Sequence, residues 1–248
     1  MIELYSSSSN LGDNLGYTAL ASVMLCRIHM YDDGSCRSVS PIFDGICEVV
    51  YDNQHGCSND PSGILLPTTQ RYLYAAGVFD RVAIPRIMLR ESEIEKARIF
   101  VSAFNNPCII KCATGKLNTR NPSVDLMLKI VSANPETTFL SFGLSNKHSK
   151  HDFLNVSVDG MKSFFDLPIR EQAAIYHVVG KYIGPDTGDY HLMLAAGGCA
   201  DVLVPPNSSE YPYYYFHYGP TCWLNTLPRV RYHNWNLPIG SFLTQLSD

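Results

Sequence analysis

Short apolar runs alternate with amphipathic stretches along most of the chain, and the alternation restarts after a break near residue 105. Ile2–Tyr5 reads as a first strand and Ser6–Asp13 as a polar loop. Residues 14–28 then read as a helix with Leu15, Ala19, Leu20, Val23 and Met24 on one face. Residues 31–67 are rich in Asp, Asn, Gly, Ser and Pro, a long connection of the kind that forms binding loops. Within it, Val39–Phe43 and Cys47–Val50 have the look of strands. Gln70–Gly77 predicts a short helix ending at glycine, and Glu91–Phe104 a longer one carrying Ile94, Ala97, Ile99 and Val101.

The second half repeats the scheme. It comprises strand 108–112, polar loop 113–120, helix 122–132, strand 138–142, loop 143–151, strand 154–158, helix 168–179 and a short apolar run at Tyr182–Gly184. A helical spacing from Tyr190 and a strand at 202–204 follow. Apolar strands alternating with amphipathic helices predict parallel sheets with helices on both faces, divided here into domains 1–104 and 105–248. Ligands of such sheets bind beyond the carboxyl ends of the strands, where Lys116, Arg120, Gly143, Ser145 and Asp186-Thr187-Gly188 would line one edge.

Asp186-Thr187-Gly188 falls between a strand stopped by Pro185 and the start of a helix. Backbone N–H groups and the positive end of the helix dipole converge at such a place, and glycine admits a ligand close to the backbone, which suits a phosphate or diphosphate. Capping alone explains the same residues equally well. Gly12-Asp13 likewise stands at a helix start, where Asp13 can serve simply as an N-cap.

Composition narrows the function classes. With 248 residues and 46% hydrophobic content the chain can build a real core without staples. A net charge of −4 with 17% charged residues gives no global basic field, so a small-molecule substrate is favoured over nucleic acid. The eight cysteines are scattered without Cys-x-x-Cys spacing, and they read as reduced thiols; Cys108 and Cys112, four apart on one strand, stand too far apart for a metal site. No basic leader and no apolar run near the roughly 20 residues of a membrane span occur, predicting a cytoplasmic protein without stable membrane insertion. The aromatic segment Tyr211–Tyr218, with Trp223, Tyr232 and Trp235 after it, reads mainly as a cover on the sheet.

Two stretches read together carry a resemblance. Ser7-Ser-Ser-Asn-Leu-Gly-Asp13, followed by a helix with Thr18-Ala-Leu, resembles the N-terminal Gly-Asp signature of the ADP-heptose:lipopolysaccharide heptosyltransferase-like glycosyltransferases. Gly184-Pro-Asp-Thr-Gly-Asp-Tyr-His191-Leu-Met-Leu-Ala-Ala196 resembles their Asp-Thr-Gly-x-x-His-x-x-Ala signature. The resemblance implies a GT-B fold: two Rossmann-like domains with parallel sheets facing a cleft, the N-terminal one reduced here. It implies an inverting, metal-independent transfer with no cofactor, a nucleotide-diphosphate sugar being the co-substrate. Carried over, the catalytic acid falls on Asp13, with Gly12 and Asn14 beside it on the acceptor loop. The donor diphosphate and sugar fall on Asp186, Thr187, Gly188 and His191. A cation is needed against the leaving diphosphate, for which Lys116 and Arg120 are the candidates.

The default acceptor is a hydroxyl of a surface glycan. A modified DNA base as acceptor and a non-catalytic nucleotide-sugar-binding protein are the alternatives. The loop Leu144-Ser-Asn-Lys-His-Ser-Lys150 lacks the acidic residue that family members commonly place near the nucleoside, which leaves the donor base open.

Overall fold

The computed structural model describes residues 1–6, 11–52, 85–113, 121–143, 158–204 and 229–234, and these build two parallel sheets. The first contains β1 (Ile2–Ser6), β2 (Cys26–Met30) and β3 (Glu48–Tyr51) in that order. Helix α1 (Leu11–Ala21) crosses from β1 to β2. The expected helix over 14–28 is therefore two elements. Cys26, Ile28 and Met30 are buried and alternate with half-buried Arg27 and His29, which is the period of a strand, not of a helix. Because α1 opens at Leu11, Asp13 lies inside its first turn and not ahead of it as a cap.

The strand expected at Val39–Phe43 is helical instead: α2 (Gly34–Val39) runs into a 3-10 turn, Ser40–Phe43. Asp33 caps α2 by accepting the Cys36 N–H at 2.7 Å, and Pro41, with its fixed φ, suits the first turn that follows. The adjacent buried pair Ile42 and Phe43 closes the core beneath.

The second sheet has the order β6-β5-β4-β7-β8-β9, with β4 (Cys108–Ile110), β5 (Phe139–Gly143), β6 (Met161–Phe165), β7 (Lys181–Pro185), β8 (Cys199–Val204) and β9 (Val230–Asn234) all parallel. Renumbered from its own first strand this is 3-2-1-4-5-6, the doubly wound dinucleotide-binding order, whose topological switch lies between β4 and β7. Strands β6 and β9 go beyond the expected elements, and β8 starts earlier than expected because the small residues around its start, Gly197-Gly-Cys-Ala200, continue the composition of the preceding helix. The expected strand over 154–158 lies almost wholly outside the described residues, as do the helix at 70–77 and the aromatic segment.

Helices cover both faces. Ile110, Phe139 and Ile183 pack with Leu126, Met127 and Ile130 of α4 (Val124–Ser132) on one side. On the other, Ile109, Leu140, Tyr182 and Val202 meet α5 (Ile169–Val179) and α6 (Gly188–Ala195) in a cluster that continues through Leu15 to Leu4 and Ile28 of the first sheet. Helix α3 (Glu91–Val101) packs along α5, so an element that precedes the second sheet in sequence covers it in space.

Arg170 of α5 fastens this arrangement. Its Nε and Nη2 each donate to a Glu93 carboxylate oxygen at 2.6 Å, Nη2 donates to Met88 O at 2.8 Å, and Nη1 donates to Pro41 O at 3.0 Å. Hydrogen bonds from Arg170 hold the Glu93 carboxyl below the usual carboxylate range against the opposing effect of burial. Among the described residues no helix is long and apolar enough to cross a membrane.

Candidate active site

The site is built where β7 passes β4 at the switch. Gly184 is required by close approach: a Cβ there would stand 2.6 Å from Lys111 O and 2.8 Å from the Tyr182 hydroxyl. The Lys111 N–H donates to Ile183 O at 3.1 Å, extending the β4–β7 ladder by one step. Beyond Pro185 the chain turns, and Thr187 caps α6, its Oγ1 accepting the Asp189 N–H at 3.2 Å. Tyr182 supports the turn from below, donating to Pro185 O at 2.8 Å with its oxygen 3.2 Å from Thr187 Oγ1.

A buried charge pair lies beneath the helix start. Lys111, 4% exposed, donates from Nζ to Phe142 O at 2.6 Å and stands 3.6 Å from Asp189 Oδ2. The other Asp189 oxygen accepts the Tyr176 hydroxyl at 2.7 Å. Burial, reinforced by the Asp189 charge, pushes the Tyr176 and Tyr182 hydroxyls well above their ordinary range, so both remain protonated donors. Lys111 is absent from the sequence-based site. A lysine is almost never buried without a partner, and here the partner, Asp189, lies far along the chain.

The N-termini of α1 and α6 meet. A Cβ on Gly188 would fall 3.0 Å from Leu11 Cβ and 3.4 Å from Gly12 N, and one on Gly12 would fall 3.3 Å from His191 Cδ2. The bare face of Gly188, expected to admit a ligand, is thus occupied by the start of α1. His191 Nε2 stands 3.5 Å from Asp186 Oδ1, its ring lies 4.0 Å from Tyr190, and it remains partly open to solvent. Two signatures separated by most of the chain therefore share one place, with Gly12, Asp186, Gly188 and His191 in contact or nearly so. Asn14 is fully buried and accepts the Ser6 hydroxyl at 2.9 Å, joining β1 to α1 from inside. The Asp13 side chain, Lys116, Arg120, Ser145 and the loop after Gly143 lie outside the described residues.

At the level of sequence the chain matches no protein-family model and no curated protein. Its architecture does match solved structures. A glycosyl transferase family 9 protein from Veillonella parvula superimposes with a TM-score of 0.64 at 12% identity, covering 99% of this chain and 88% of that one. The ADP-heptose lipopolysaccharide heptosyltransferase II of E. coli gives 0.66 at 11% identity, over 94% and 90% of the two chains. The fold is that of the GT-B glycosyltransferases. The E. coli heptosyltransferase WaaC, solved with ADP-2-deoxy-2-fluoro heptose, has the same fold at a TM-score of 0.52 and 9% identity, over 84% of this chain and 90% of that one. In this fold the two parallel sheets described above are the two Rossmann-like units, and the α1–α6 contact joins a helix of the first to a helix of the second.

Proposed function

We propose that the protein is an inverting, metal-independent glycosyltransferase that moves a sugar from a nucleotide-diphosphate donor to a hydroxyl of a surface glycan in the cytoplasm. The observation that supports this reading is the close approach of Gly12 to Gly188 and His191, which brings the two heptosyltransferase-like signatures near each other. The donor lies against the second sheet. Its diphosphate takes the backbone N–H groups at the α6 N-terminus, where the helix dipole favours an anion, around Asp186, Thr187 and Gly188 but not on the Cα face of Gly188 that Leu11 occupies. Lys111 supports this by offsetting the Asp189 charge from below, so the first turn is not left with an uncompensated carboxylate facing a polyanion. Lys116 and Arg120 add positive charge to the leaving group, and His191 bonds the sugar or phosphate. Asp13, one residue after Gly12, takes the proton from the acceptor hydroxyl as it attacks the anomeric carbon and the sugar–phosphate bond breaks.

The experiment is a thermal-shift screen of ADP-, UDP- and GDP-sugars, followed by transfer assays of Asp13→Asn with the donor that stabilises the protein. Asp13→Asn should still bind the donor and fail to transfer. No stabilisation by any nucleotide diphosphate overturns the reading, and an unchanged rate in the variant removes Asp13 as the base.

A further inference from the structure

Two cysteines of the first sheet stand side by side. The β2–β3 ladder pairs Arg27 with Glu48 and runs in step to Met30 and Tyr51, so Cys26, the first residue of β2, and Cys47, the residue just before β3, flank its first rung on neighbouring segments. Adjacent strands lie ~4.8 Å apart, inside the ~4.4–6.8 Å that a disulfide spans between Cα atoms. Positions in register share a face: Cys26 is buried in the core and Cys47, half-buried, packs against the same cluster. Their thiols touch. A hydrogen bond from Cys47 favours the Cys26 thiolate and outweighs burial there, while the same bond, with burial added, drives the Cys47 thiol far up. Cys108 and Cys112 form a contrast, since each is buried and each is pushed up to about 12 by burial, with Cys108 opening β4 and Cys112 two residues beyond its end.

We propose that Cys26 and Cys47 form an oxidation site that closes to an intrachain disulfide by exchange with a small-molecule disulfide of the glutathione type. One protein thiolate attacks a sulfur of the oxidant and releases one glutathione thiolate. The neighbouring protein sulfur, after losing its proton, attacks the mixed disulfide and releases the second. Two protein thiols are oxidised, one small disulfide is reduced to two thiols, and excess thiol reverses both steps. The bond would fasten the excursion over residues 27–46, which carries α2 and the 3-10 turn gripped by Arg170.

The test incubates the full chain across glutathione disulfide-to-thiol ratios, blocks remaining thiols by alkylation, and maps the peptides by mass spectrometry. The expected product is a Cys26–Cys47 cross-linked peptide lacking two hydrogens, accompanied by a melting temperature raised by roughly 5–10 °C. Cys47→Ser should lose both the peptide and the rise without altering the melting temperature under reducing conditions. Cys26→Ala serves as a second variant for the same loss. Alkylation of both cysteines at every ratio overturns the proposal, and so does accumulation of glutathione on Cys47 without ring closure.

Discussion

Helices α1 and α6 both carry a Gly-Asp pair in the first turn, Gly12-Asp13 and Gly188-Asp189, each after a strand, and the second pair is put to structural use. Asp189 is turned inward, one oxygen accepting from Tyr176 and the other facing Lys111, while Thr187 caps its N–H. A carboxylate so engaged holds the helix start together and is poorly placed to collect a proton from a substrate. The base proposed from the resemblance is Asp13, in the first turn of α1 next to Gly12. Asp189 anchors the fold because the molecule supplies a buried cation, Lys111, beneath it.

The largest expected effect tests that division directly. Asp13→Asn should lower kcat by about 100- to 10,000-fold while leaving donor affinity nearly unchanged, and Asp189→Asn should retain most turnover. Equal losses in the two variants would break the contrast. Next, Lys111→Met leaves the Asp189 charge buried and uncompensated, destabilising the protein by about 3 kcal/mol in urea titrations. The double variant Lys111→Met/Asp189→Asn should recover much of that loss; strictly additive losses would mean that the two side chains are not coupled.

Smaller still is the effect of a wedge between the helices. Gly188→Ala should cost about 1–3 kcal/mol because the added methyl meets Leu11 Cβ at 3.0 Å, and Gly12→Ala less, since the His191 ring it meets at 3.3 Å can swing aside. Reversal of that order in melting temperature would show the helix starts to be looser than their spacing indicates. The mildest effect is acid sensitivity. The Glu93 carboxyl, lowered from an ordinary value of 4.5 chiefly by hydrogen bonds from Arg170, contributes stability that is present above pH 4.5 and is lost as pH falls through its lower folded value. Arg170→Met should flatten this part of the stability–pH curve measured by denaturation.

Much of the fold was legible because its periodicities are strong. Helices over 91–101, 124–132 and 169–179 and strands at β1, β4, β5 and β7 fall within a few residues of expectation. Failures cluster where composition hides a change of period. Val23 to Ile28 continues the apolar content of α1 into β2, and Ile42-Phe43 looks like a strand although Pro41 begins a tight turn. The Asp-Thr-Gly turn was readable from its turn formers, and Gly12-Asp13 from its place before a helix. Lys111 was not, because its meaning depends on Asp189, a residue 78 positions later (189 − 111) that only the sheet order brings near. Gly188 was read as space for a ligand, whereas the close approach belongs to Leu11, a contact with no local signature.

The Arg170 clamp bears on the lifetime of the native state. Its partners lie 77, 82 and 129 positions away in the chain, so its bonds can form only after long loops have closed. Interactions made after the folding barrier slow unfolding and leave the folding rate nearly untouched. Stopped-flow measurements on Arg170→Met should therefore show a steeper loss on the unfolding limb than on the refolding limb. By that reckoning a single guanidinium acts as a timer, setting how long the two sheets stay assembled once they have met.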